Sequence, residues 1–136
     1  MAFAGMNYLA ILVAAVAAFA WGAAYYMTLS KQWLAAVGRV EPNKSPVPFI
    51  ISFVALVVIG FVLAGSIGHL GPGQVTVKNG IISGLILWAG FMVTTVFVNN
   101  AYAGRKYSLS VIDCGHWLGV LVIQGAVIGA MGVKGG

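Results

Sequence analysis

Apolar residues fall in four long runs, Met6 to Leu29, Val47 to Leu70, Ile81 to Ala103 and Val111 to Gly132, with the polar residues gathered in short stretches between them. A helix needs roughly 20 apolar residues to cross a hydrocarbon core, and each run is long enough. The first break, Gly38 to Pro48, holds Pro42, Pro46 and Pro48. Each lacks an amide hydrogen and restricts the residue before it, so no helix continues through. Gly71-Pro72-Gly73 is a second turn signal, and Gly104-Arg105-Lys106 turns the chain into the last run. The connection from Gln74 to Asn79 is short, which makes the second and third helices antiparallel neighbours. The pattern predicts an all-α membrane protein, an up-and-down antiparallel four-transmembrane-helix bundle, forming one domain over residues 1–136.

Composition strengthens this reading. The chain is 61% hydrophobic and 7% charged, with a mean hydropathy of +1.02, whereas soluble domains carry about 25% charged residues. The lipid bilayer is therefore the first expected partner. A net charge of +5 would suggest nucleic acid in a soluble protein, but here the cations flank apolar runs, and no nucleic-acid partner is expected. Lys31, Arg39, Lys44, Arg105 and Lys106 lie in the first and third loops, against Lys78 and Lys134 in the second loop and the tail. Positive charge is retained on the cytoplasmic side, so loops one and three are expected in the cytoplasm and both termini outside. The first run has no preceding Lys or Arg and is longer than a signal-peptide core of about 7 to 15 residues; a retained helix is expected. Trp21, Tyr25, Tyr26 and Trp33 near its end suit the interfacial aromatic belt.

Glycines recur four apart at Gly80 and Gly84, Gly115 and Gly119, and Gly125 and Gly129. That spacing puts small residues on one helix face where another backbone can approach, within the chain or in a second copy. Self-association, or packing on another membrane protein, is the partnership these positions suggest. Trp21-Gly22-Ala23 and Trp88-Ala89-Gly90, each followed by a basic loop, give the two halves a faint likeness, as a parallel duplication would.

The candidate chemistry lies in Asp113-Cys114-Gly115-His116, which holds one of two carboxylates in the chain. Two readings are open. Ser110-Val111-Ile112-Asp113 has the form of a capping box, which would place Asp113 in the first turn of the fourth helix, at headgroup depth near Arg105 and Lys106. Alternatively Asp113 and His116, three apart on one face, form a carboxylate–imidazole pair able to relay a proton. Asn99 and Asn100 on the third helix, with Tyr25 and Tyr26 on the first, would complete a polar pocket on the cytoplasmic side.

No metal or cofactor is expected. Adjacent helical residues diverge by about 100°, so Asp113, Cys114 and His116 cannot converge on one ion. His69 sits across the hydrocarbon core from His116. The lone Cys114 permits no intramolecular disulfide. Phosphate loops, paired carboxylates and nucleophilic triads are absent from the sequence, and enzyme activity is not expected.

The stretch Gly22-Ala23-Ala24-Tyr25-Tyr26, followed by Leu29-Ser30-Lys31-Gln32-Trp33, resembles the aromatic signature closing the first helix in the bacterial domain-of-unknown-function family 1761. Gly90 to Asn100, Gly104-Arg105, and Ile112-Asp113 through Gly115-His116 resemble its second half. Tyr25 stands where that signature has tryptophan and Ser30 where it has glycine. The resemblance implies a small four-helix integral membrane protein of a bacterial inner membrane, which would put the two termini in the periplasm, without an established activity or catalytic residues to carry over. Two functions follow as expectations: a non-enzymatic protein acting through helix packing, as a homo-oligomer or accessory subunit, or a small oligomeric transporter or channel for protons or a small solute using Asp113 and His116.

Overall fold

The computed structural model describes residues 5–39, 41 and 44–133; Val40, Pro42 and Asn43 of the first loop and Lys134 of the tail lie outside them. The described residues form five helices: α1 (Tyr8–Thr28), the short α2 (Ser30–Val37), α3 (Val47–Gly68), α4 (Val77–Tyr102) and α5 (Tyr107–Met131). Four of them, all but α2, are long and apolar enough to span a bilayer.

Local chemistry sets the helix ends. The Asn7 side chain accepts from the Ala10 amide at 3.1 Å and opens α1, and Thr76 does the same for α4 through Asn79. Such caps satisfy amides that have no intrahelical partner. Pro48 occupies the first turn of α3, where its missing amide costs nothing. Gly71 and Gly73, at φ +119° and +74°, make the turn between α3 and α4.

Three boundaries depart from the sequence reading. The helix of the first apolar run does not continue through Trp33 to the loop at Gly38: it breaks at Leu29 and resumes as α2. Because Thr76 caps it, α4 already starts at Val77, inside the stretch expected to be a connection. Likewise α5 starts at Tyr107, because Gly104 at φ +68° reverses the chain within a few residues. Ser110 is therefore a buried residue inside the helix, and the expected capping box does not form.

The spans surround a common axis in chain order. Helix α1 packs on α3 and α5, α5 packs most extensively on α4, and α3 touches α4 more thinly; α1 and α4 do not meet. The core is Ala14, Ala15 and Ala18 of α1, Leu56, Leu63 and Ile67 of α3, and Val120, Leu121 and Ile128 of α5. Helix α4 contributes Gly80 and Gly84 as its buried residues. A β-carbon built on Gly80 would collide with the Gly125 carbonyl, one on Gly84 with that of Leu121, and one on Gly129 with that of Thr76. Backbone thus lies on backbone along this seam, and small residues make the approach possible. Outward, Val16, Phe49, Ile51, Val54, Val58, Ile86 and Phe91 are exposed, which suits contact with acyl chains. The chain is a multi-pass helical membrane protein.

One irregularity interrupts α4, a π-helical turn at Trp88–Met92. A wider turn leaves carbonyls poorly partnered, and the Thr94 hydroxyl donates to Gly90 O at 2.9 Å and Phe91 O at 3.1 Å.

Candidate functional site

Around the first three turns of α5, polar side chains from both flanking helices reach its backbone. The Trp21 indole donates to the His116 carbonyl at 2.9 Å and the Tyr25 hydroxyl to the Ile112 carbonyl at 2.6 Å, both from α1. From α4, the Trp88 indole donates to the Cys114 carbonyl at 2.8 Å. A carbonyl has two lone pairs, so each of these oxygens accepts a side chain in addition to its helical amide. Trp21 and Trp88, the residues behind the faint likeness of the two halves, hold α5 from two sides in the same manner.

Glycines make room for the rings. A β-carbon on Gly119 would collide with the Trp21 indole, one on Gly115 would stand 2.5 Å from the Tyr25 hydroxyl, and one on Gly22 would stand 2.8 Å from Nε2 of His116. Gly115 and Gly119 therefore receive aromatic side chains rather than another backbone. His116 rests against Gly22 with its ring 4.9 Å from Tyr26, 6.0 Å from Tyr25 and 4.7 Å from Trp117.

Asp113 lies six residues beyond the start of α5, about 9 Å along its axis, and so within the span rather than at its cap. The Tyr26 hydroxyl donates to Oδ1 at 2.7 Å. Trp33, carried back by the break at Leu29, stands edge-on to Tyr26 with ring centroids 6.0 Å apart. The Tyr26 donor is uncharged, and among the described residues no cation pairs with Asp113. Arg105 and Lys106 point elsewhere: they donate to Val37 O at 3.1 Å and Ala35 O at 3.4 Å, where cations favour the negative end of α2.

The expected Asp113–His116 hydrogen bond is not made. Tyr26 sits across the gap, with its hydroxyl on Asp113 and its ring against the imidazole, and Nδ1 of His116 is enclosed without a partner. Nor do the asparagines join the site. Asn100 donates to the Ser110 hydroxyl at 3.1 Å, tying α4 to α5, and Asn99 is exposed. Of the residues expected there, Tyr25, Tyr26, Asp113 and His116 come together; Asn99 and Asn100 do not. Cys114 is a buried free thiol, and the described residues hold no group of three or more His, Cys, Asp or Glu side chains suited to a metal.

A family described as a protein of unknown function, DUF1761, matches residues 9–129. The chain belongs to that family. The match takes in all four spans of this DUF1761 protein but for Tyr8 at the start of the first and Ala130 and Met131 at the end of the last, and both sides of the Asp113 cluster. No curated protein and no solved structure matches the chain.

Four contributors were not among the expected site residues. Trp33, Trp88 and Ser110 stood out only as part of the aromatic belt, the likeness of the two halves and a capping box, and gave no signal of a place at this site. Gln124 did, as the one polar side chain between Trp117 and Met131; a polar residue in mid-span is costly and by default functional. It is fully buried, donates to Leu56 O at 2.8 Å, and leaves its Oε1 unpartnered.

Proposed function

We propose that this DUF1761 protein is a non-enzymatic carrier of protons, or of a small solute bearing one, whose working group is Asp113, reached from the cytoplasmic face of a bacterial inner membrane with both termini periplasmic. One observation carries the reading. Asp113 is a carboxylate inside a span, held by the neutral donor Tyr26 and, among the described residues, by no cation. An ionised carboxylate in such a place is expensive unless a proton or a cation joins it. His116, whose Nδ1 has no partner, stands beside it as a second acceptor.

Packing alone is the less favoured role. The glycine seam is filled within the chain, so a second copy or a larger assembly would meet the exposed apolar faces of α3 or α4 instead. Self-association remains part of the proposal, because four helices closed this tightly enclose little space for passage.

The test is proton flux into vesicles containing the purified protein, followed with an internal pH-sensitive dye under an imposed potassium diffusion potential. Asp113→Asn keeps an acceptor for Tyr26 and removes the charge, and it should abolish the flux. Equal flux in wild type and variant would sink the proposal. A silent wild type that co-purifies with a partner would favour the accessory role.

A further inference from the structure

The end of the bundle opposite Asp113 holds a cleft of about 850 Å³, lined among others by Asn7, Gly68, His69, Ile128 and Gly129. Its floor at Ile128 lies four residues of α5, about 6 Å, from Gln124. At that level α1, α3 and α5 meet: a β-carbon on Gly60 would stand 3.2 Å from Ile11 Cγ2 and 3.6 Å from Gln124 Nε2. The amide nitrogen of Gln124 is fixed by Leu56 O, so its orientation is set and Oε1 is the free acceptor. An enclosed acceptor without a partner is rare, and an unseen water is among its ordinary explanations.

Toward Asp113 the interior is apolar. Val120 and Leu121 of α5, with Ala18 of α1 and Leu56 of α3, are fully or nearly fully buried, and they fill the bundle over the eight residues of α5, about 12 Å, from His116 to Gln124. Both enclosed, unpartnered side-chain atoms among the described residues, Nδ1 of His116 and Oε1 of Gln124, thus lie on α5, one on each side of this apolar plug.

We propose that α5 carries two half-paths for water and the proton it bears, one from the basic end to Asp113 and His116, the other from the opposite cleft to Gln124, separated by the gate at Val120 and Leu121. The proposal rests on the carrier reading above and extends it to the far face. Gln124 does not titrate. Its carbonyl holds a water by accepting one hydrogen bond, and that water's oxygen takes and passes the proton. Only O–H and N–H bonds form and break, and each carrier returns to its starting state. A single amide oxygen offers an alkali ion too few ligands, so the species is a hydrogen-bond donor.

Single cysteines at positions 116, 120, 124 and 128, in a Cys114→Ala background, test this with a membrane-impermeant charged maleimide applied to either face of oriented vesicles. Ile128→Cys and Gln124→Cys should label from the cleft face, His116→Cys from the basic face, and Val120→Cys from neither. Gln124→Cys protected while Ile128→Cys labels would overturn the second half-path. Failure of His116→Cys alone would instead count against access to Asp113, leaving the Gln124 result intact. As a check that does not depend on cysteine replacement, Gln124→Leu should lower proton flux roughly tenfold or more with unchanged elution in detergent; unchanged flux would overturn the proposal.

Discussion

Replacing Gly80 by alanine should separate α4 from α5. The added β-carbon would fall on the Gly125 carbonyl, which is backbone and cannot rotate away, so the two helices must part over at least a full turn. Overpacking a tight contact costs about 1–3 kcal/mol, occasionally more, and the unyielding backbone puts Gly80→Ala at the upper end. Helix propensity works the other way by up to about 1 kcal/mol, leaving a net loss of about 2 kcal/mol. Gly90→Ala is the internal control, since nothing lies within 4 Å of its built β-carbon; it should be neutral or slightly stabilising. Gly125→Ala meets the same seam from the other side, so the double variant should cost less than the sum of the single ones, the first having already opened the space. Equilibrium unfolding in mixed micelles, followed by tryptophan fluorescence, measures all four. If Gly80→Ala matched Gly90→Ala, the backbone contact between α4 and α5 would be wrong.

The other expectations concern the site and its supports. Trp88→Phe removes the bond to the Cys114 carbonyl and should cost about 0.5–1.5 kcal/mol in the same unfolding assay. A double-mutant cycle on Tyr26→Phe and Asp113→Ala, which removes the acceptor altogether, should give a coupling of roughly 1.5–3 kcal/mol, the range for hydrogen bonds to a charged group; no coupling would deny the hydroxyl–carboxylate bond. Gln124→Leu removes one made and one unmade hydrogen bond together, so stability should change by less than about 1 kcal/mol. Arg105→Gln frees the carboxyl end of α2 and should speed trypsin cleavage near Lys31 and Arg39, visible by mass spectrometry.

The membrane spans were legible because apolar length alone decides what can cross a bilayer. The turns at Gly71 and Gly104 were legible because proline and glycine act locally. What lay hidden is contact between distant residues. The Ser110-x-x-Asp113 pattern is a valid capping signature, yet Gly104 reverses the chain so early that the helix begins at Tyr107 and Ser110 is taken by Asn100. Asp113 and His116 do share a face, but spacing along one helix gave no hint that Tyr26 would stand between them. The glycine pairs pointed to close packing without saying that backbone would meet Gly125 whereas Gly115 and Gly119 would meet Tyr25 and Trp21.

Difference infrared spectroscopy on the protein in lipid tests the central claim, that Asp113 takes and gives a proton with Tyr26 on its carboxyl group. Stepping the pH should produce a protonated-carboxyl band that is missing in Asp113→Asn and shifted in Tyr26→Phe. A carboxyl band that persists in Asp113→Asn, or is unmoved in Tyr26→Phe, would contradict it.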